Sequence, residues 1–182
     1  MKKVYEYSHL GGRHILQLDY PLIKQEIDEV IASITDIERT KISREKTMKG
    51  KLLYSPKVLN KRFKEEFRKR GYKQLRDTYT IQLPKYEKEI KGAFKQIDFV
   101  KDKVLVEVQF GKYAFMFYDL AKFQYFFNEA KADVGVEIVP CHGLHKEMST
   151  GVSYGEQLVY DIERLRRTFP AVPIWVILID VE

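Results

Sequence analysis

Two short runs in the middle of the chain hold the residues whose types and spacing point most directly to chemistry. They are Gln96-Ile97-Asp98-Phe99-Val100 and Val104-Leu105-Val106-Glu107-Val108-Gln109-Phe110, separated by Lys101-Asp102-Lys103. If Asp102 and Lys103 form a two-residue turn, Lys101 pairs with Val104 and Asp98 falls directly across from Glu107. Cross-strand partners share a face, and a period of two brings Gln109 to that face as well. Phe99, Val104, Val106, Val108 and Phe110 then form an apolar opposite face that belongs to the core. Two carboxylates facing each other across a ladder repel. A hard divalent cation removes that conflict, and Mg²⁺ takes one or two carboxylates while keeping sites for water and phosphate oxygens. The backbone carbonyl of Val108 would add a ligand. Such a site suits phosphodiester hydrolysis, with stabilised phosphate and leaving 3′ oxygens and an activated water. A three-residue turn would instead send Asp98 and Glu107 to opposite faces as ordinary charges, and spacing alone leaves both arrangements open.

The elements that must position this hairpin are legible in the surrounding pattern. Pro21 suits a first helical turn, and Leu22, Ile23, Ile27, Val30, Ile31 and Ile34 follow as an apolar stripe at helical spacing. Residues 36–54 read as an irregular, basic connection. Ser55-Pro56 reads as an N-cap and N1 pair, and Gly71 as the residue after a C-cap. Leu59, Phe63 and Phe67 between them give a helix with a basic outer face. Residues 79–83 alternate and suit an edge strand. Residues 119–130 form an aromatic-rich helix that offers Leu120, Phe123, Phe126, Phe127 and Ala130 for burial. Residues 134–139 suit a short strand ending at Pro140, 141–155 a loop, 156–168 a helix, and 174–179 a strand covered on both faces. Strand, helix, strand, helix, strand in this order implies an α/β fold with a parallel portion and right-handed crossovers. The expectation is a mixed five- or six-stranded sheet (an antiparallel hairpin plus parallel strands) flanked by helices.

Bulk properties narrow the classes. The chain has 182 residues, 45% of them hydrophobic, which fits one compact domain over 1–182. No repeat, low-complexity tract or linker divides it. The apolar run 172–179 is too short to span a bilayer, and Met1-Lys2-Lys3-Val4-Tyr5-Glu6 lacks a secretory apolar stretch. Cys141 is the one cysteine, so no internal disulfide forms, and a cytoplasmic protein is expected. The net charge of +6 is concentrated between Arg39 and Arg70, a field that attracts phosphates or simply keeps the surface solvated. Ser149, Thr150, Ser153 and Tyr154 follow a strand's carboxyl end, where ligands commonly bind, and can reach base edges or phosphates. The same residue types also serve turns and helix caps. Cys141, His142 and His145 fall short of the four ligands of a structural zinc site. Glu26 and Glu29 could approach a metal, but the surface of an amphipathic helix is the simpler account.

The stretch from Gln96 to Tyr113 resembles the active-site hairpin of the BstYI and BglII group of type II restriction endonucleases, divergent members of the PD-(D/E)XK nuclease superfamily. The superfamily's second motif is a carboxylate, any residue, then lysine; this group has glutamine last, as does Glu107-Val108-Gln109. Ordered likenesses extend to residues 7–10, 53–56, 133–138 and 146–154, while 70–95 departs in length and composition. The resemblance implies that Asp98 and Glu107 bind metal and that Gln109 takes the lysine's place. A glutamine amide does not titrate usefully, so its role would be to orient the attacking water. The resemblance also places Lys112 and Tyr113 in DNA contact, Lys112 on bases, with Ser149 and Thr150 as base readers. Lysine donates readily to guanine O6 and N7. It implies double-stranded DNA as substrate, a homodimer matching a palindromic, GATC-centred site, four-base 5′ overhangs, and a cognate DNA methyltransferase as functional partner. The rival readings are a structure-selective junction or repair nuclease on the same core, and a non-catalytic DNA-binding module.

Overall fold

The computed structural model describes residues 1–181 apart from residue 47, which lies within the stretch expected to be irregular. The chain opens with strand β1 (Lys2–His9), helix α1 (Gly12–Asp19) and helix α2 (Pro21–Ser33), with Pro21 in the first turn of α2. Two short strands, β2 (Lys41–Ile42) and β3 (Leu52–Leu53), pair with each other apart from the main sheet. Helix α3 (Pro56–Lys69) follows Ser55, and Gly71 takes φ 83° just beyond its C-cap Arg70, a left-handed conformation that glycine adopts without strain. Strands β4 (Lys73–Ile81), β5 (Ile90–Lys101) and β6 (Val104–Val108) come next. Helix α4 (Tyr113–Asn128), strand β7 (Val134–Pro140), helices α5 (His142–Lys146) and α6 (Gly155–Leu165) and strand β8 (Ile174–Asp180) complete the chain.

The main sheet has six strands in the order β1-β8-β7-β6-β5-β4. The β6, β7 and β8 strands are parallel, while β1 and the β4–β5 hairpin are antiparallel additions at either edge. This is the mixed sheet the pattern predicts. Every residue of β6 and β7 is buried, which is why those strands read as nearly continuous apolar runs rather than alternating ones. Val104, Val106 and Val108 form one face of β6, on the side of α3. There Phe67 stacks on Phe99 with ring centroids 4.7 Å apart, and Phe63 meets Phe110 at 6.0 Å. On the other face Gly135 of β7 lies under Phe123 of α4, so close that an added Cβ would sit 2.6 Å from the ring. Gly155 likewise lets α6 settle onto Val139 and Leu178.

Several boundaries differ from the sequence-based expectation. Neither β1 nor α1 is foreshadowed by the apolar pattern, because β1 is an edge strand with only intermittent burial and α1 buries just Gly12 and Leu16. Helix α4 begins at Tyr113, six residues earlier than the expected 119. The cause is its first two turns, which mix exposed Phe115 and Tyr118 with buried Met116 and blur the helical stripe. Ala130 is not buried; it takes φ 54° in the turn that ends the helix. The loop after β7 contains the short helix α5, and α6 ends at Leu165 rather than 168. None of the described helices is long and apolar enough to cross a membrane.

Candidate active site

The β5–β6 turn is the two-residue turn that the hairpin requires. Asp102 and Lys103 both take positive φ, 46° and 66°, the requirement of a type I′ connection. The register is Lys101 with Val104, Val100 with Leu105 and Phe99 with Val106. The backbone ladder stops there. One step further on, where Asp98 and Glu107 fall opposite each other, β5 shares no ladder pair with β6; its other edge stays on β4, with a register shift between the Lys73–Val100 and Leu75–Ile97 pairs. Meanwhile β6 stays with β7, pairing Glu107 with Glu137 and Val108 with Ile138, and Gln109 N–H donates to the Ile138 carbonyl at 2.9 Å. The two strands therefore fork. In the fork lies a cavity of about 310 Å³, with Asp98, Glu107, Val108 and Gln109 on the sheet side and Asn60, Lys61 and Lys64 of α3 opposite.

The three predicted groups sit in different environments. Asp98 is exposed, Gln109 is half-buried, and Glu107 is only 4% exposed. What buries Glu107 is α4. The Lys122 ammonium donates to Glu107 Oε1 and lies 2.7 Å from Asp119 Oδ1. The other oxygen of Asp119, Oδ2, accepts the Gln109 Nε2–H at 2.9 Å. The face expected to carry only two carboxylates and an amide is thus roofed by a helix that brings a third carboxylate and an ammonium. Asp119 and Lys122 are three apart, so they project from one side of α4. They stand there because α4 starts at Tyr113 and carries them past the end of β6. Behind them Glu137 is fully buried, and neither of its carboxylate oxygens has a hydrogen-bond partner among the described residues.

Burial dominates the electrostatics. Desolvation, together with the charges of Asp119 and Asp98, pushes Glu107 up to about 8 against the opposing pull of Lys122. Asp119 is also raised by burial, against Lys122 and the Gln109 hydrogen bond. Glu137 lies well above the usual carboxylate range, through complete desolvation and the neighbouring Asp119 and Glu107 charges. An ordinary sheet does not concentrate acids in this way, and such perturbation is characteristic of functional sites.

The donor set fits a hard divalent cation. Glu107 Oε2 has no protein partner among the described residues yet is not sealed from solvent, Asp98 is open, and the Val108 carbonyl borders the same cavity. No cluster of three or more His, Cys, Asp or Glu side chains is arranged to hold a metal among the described residues, so the set is limited to these carboxylates plus backbone and solvent oxygens. Glu26 is held by Lys101 at 2.6 Å, at the turn end of the hairpin, and Glu29 bonds Gln25 at 2.8 Å. The Cys141 thiol donates to Asp180 Oδ2 at 3.2 Å, while His142 stacks on His145.

The predicted DNA-contacting residues divide. Lys112 is exposed at the N-terminal boundary of α4. The Tyr113 hydroxyl is engaged by Asp161 of α6, tying the two helices together. Ser153 is buried, and its backbone N–H donates to the Gly111 carbonyl at 2.8 Å, pinning the loop to the end of the active-site hairpin. Tyr154 packs its ring against His142 and His145, at 4.8 and 5.1 Å between centroids. Thr150 is exposed and Ser149 half-exposed. The Ser149 hydroxyl receives Lys41, and the Thr150 N–H reaches the Glu45 carboxylate at 3.2 and 3.3 Å. The residues that sequence reasoning missed are Asn60, Lys61 and Lys64 as the facing wall, and Asp119 and Lys122 as the roof. The spacing of Lys57, Lys61, Lys64 and Arg68 along one side of α3 was the available signal for the wall.

The family model of restriction endonuclease BglII/BglIII matches residues 4–179. The chain belongs to this family. It is accordingly a type II site-specific deoxyribonuclease. Among solved structures, one described as restriction endonuclease BglII complexed with a DNA 16-mer aligns with a TM-score of 0.77 at 22% identity, over 100% of this chain and 79% of that one. A structure of free BglII aligns with a TM-score of 0.71 at 21% identity, over 100% of this chain and 81% of that one. At that identity the likeness establishes a shared fold. No curated protein sequence matches.

Proposed function

We propose that this member of the BglII/BglIII family hydrolyses double-stranded DNA in a Mg²⁺-dependent reaction at a palindromic, GATC-centred site. It would act as a homodimer of single catalytic and DNA-binding domains, leave 5′-phosphate ends with four-base 5′ overhangs, and work beside a cognate methyltransferase. One observation carries the reading: the β5–β6 fork brings Asp98, Glu107 and Gln109 to one cavity opposite a lysine-bearing helix. The GATC centre and the overhang follow from the sequence resemblance to the BstYI and BglII group.

Asp98, Glu107 and the Val108 carbonyl would hold the ion. When bound, Mg²⁺ supplies Lewis-acid stabilisation of the charge that develops on the phosphate and leaving oxygens. The chain's own groups do the rest. Gln109 gives its Nε2–H to Asp119, which leaves Oε1 beside Gly111, where it can accept a hydrogen bond from the attacking water. Lys61 and Lys64 neutralise backbone phosphates along the opposite wall and fix the duplex in register. Lys112 and the Ser149–Thr150 segment read base edges, while Tyr113, Ser153 and Tyr154 hold that reading surface in place.

The deciding experiment is digestion of phage DNA by the purified protein with Mg²⁺, followed by sequencing of the ends. Discrete fragments bounded by GATC-containing sites are expected. Intact DNA, ends without GATC, or full activity in Asp98→Asn or Glu107→Gln would refute the proposal.

A further inference from the structure

The glutamine in the active site presents two chemically opposite ends, and its usefulness depends on which one faces the reactants. An amide can donate from Nε2 or accept at Oε1, and the choice is set by its partners. Here Nε2 is tied to Asp119 Oδ2 at 2.9 Å, and Asp119 Oδ1 is tied in turn to Lys122 at 2.7 Å. Lys122 also holds Glu107 Oε1. One carboxylate and one ammonium from a single helix therefore fix two of the three candidate active-site groups. Asp119 is 2% exposed and the Lys122 side chain 13% exposed, so neither is an incidental surface charge. Neither borders the cavity between the fork and α3. They act from behind the residues that line it.

We infer that Asp119 is a positioning residue that sets the orientation of the Gln109 amide, with Lys122 locking Asp119 and Glu107 in place. The inference rests on the nuclease reading of the site. An ionised carboxylate accepts only, so opposite Asp119 the Gln109 amide has one satisfactory orientation: donor inward, acceptor toward Gly111. The bond is charge-assisted and hence stronger than a neutral one. Asparagine at position 119 keeps the shape but breaks the logic. With its oxygen kept on Lys122 it turns a donor toward Gln109, so the Gln109 amide must flip or lose its partner.

A double-mutant cycle tests this. Single-turnover cleavage of a duplex carrying the cognate site is measured for the wild type, Asp119→Asn, Gln109→Ala and the double variant. Asp119→Asn should lower the rate about tenfold or more. In the Gln109→Ala background the same change should cost less than about twofold, because a residue acting through another has no effect once that other is gone. General structural damage would instead lower the rate equally in both backgrounds. A second readout needs neither metal nor DNA. In the free protein, the Gln109 side-chain amide protons should be shifted downfield and slowed in exchange, and both signatures should vanish in Asp119→Asn. A wild-type rate in Asp119→Asn, additive costs in the cycle, or unaltered amide resonances would overturn the inference while leaving the nuclease reading intact. A wild-type protein that cuts no duplex would sink both.

Discussion

The buried acid Glu137 offers the most discriminating physical test of this site. It is fully enclosed, its two oxygens have no partner among the described residues, and the charges acting on it include Asp119 and Glu107. Burial raises its folded-state pKa well above the ordinary 4.5, so the folded protein keeps a proton that the unfolded chain releases. The sign follows directly. Stability from this group is fully present below about 4.5 and is lost as pH climbs toward the folded-state pKa. While the carboxyl is protonated in the fold and ionised in the unfolded chain, the loss is about 1.4 kcal/mol per pH unit. For a chain of this length, that corresponds to roughly 3 to 6 °C in Tm per pH unit. Glu137→Gln keeps the shape and removes the titration. Thermal melts in a metal chelator at pH 5, 6 and 7 should show the Tm difference, variant minus wild type, growing in favour of the variant with each unit, by up to that amount while the pH is below the folded-state pKa. Contributions from Glu107 and Asp119 occur in both proteins and largely cancel in the difference. A Tm difference that does not change between pH 5 and 7 would show that Glu137 is not held protonated, and the reasoning about this cluster would fail.

Two further outcomes follow from the same geometry. An alanine Cβ at Gly111 would lie 2.5 Å from Gln109 Oε1, so Gly111→Ala must displace the amide; duplex cleavage should fall about tenfold with Tm nearly unchanged, and rate and melting measurements on one preparation check this. Lys61→Ala and Lys64→Ala should each weaken duplex binding similarly for all sequences and reduce the slope of log affinity against log salt by about 0.9 for each phosphate no longer neutralised, as read from fluorescence-anisotropy titrations at several salt concentrations.

How much of this is visible in the chain itself differs between the scaffold and the site. The parallel core is legible because β7 and β8 are enclosed on both faces and so read as apolar runs. Helix α3 is legible because Ser55-Pro56 and Gly71 bracket it. The hairpin is legible but its register is not, since a two-residue and a three-residue turn both fit the spacing and only the positive φ at Asp102 and Lys103 decides between them. The fork is not legible either. Nothing local in Ile97 or Asp98 says that β5 will part from β6 there; the register shift at that point lies in its pairing with β4, whose Lys73 and Leu75 are distant in sequence and sit in the stretch that departs from the family pattern. The Asp119–Lys122 roof is hidden for a different reason. Asp119 lies on the buried stripe of α4 with Met116 and Phe123, but at the first position of the expected helix it reads as an ordinary N-terminal charge. The resemblance suggests DNA contacts for Tyr113 and the loop setting suggests them for Tyr154, whereas the bond of Tyr113 to Asp161 and the packing of Tyr154 on His142 and His145 depend on the tertiary fold and cannot be read in advance.

The divergence of β5 from β6 also governs how the enzyme can accommodate a bulky substrate. One wall of the notch is anchored in the parallel ladder shared by β6, β7 and β8; the other is the β4–β5 ribbon, which joins β6 near Phe99 to Lys101 and is braced against α4 and the turn after it, where Tyr125 and Lys131 hold Asp77 at 2.8 and 2.7 Å. Rotamer changes cannot move either backbone. The distance between the Asp98 and Glu107 backbones is therefore set jointly by that short root and by the brace at Asp77. The ion-binding distance and the room for the duplex would then be a single mechanical variable.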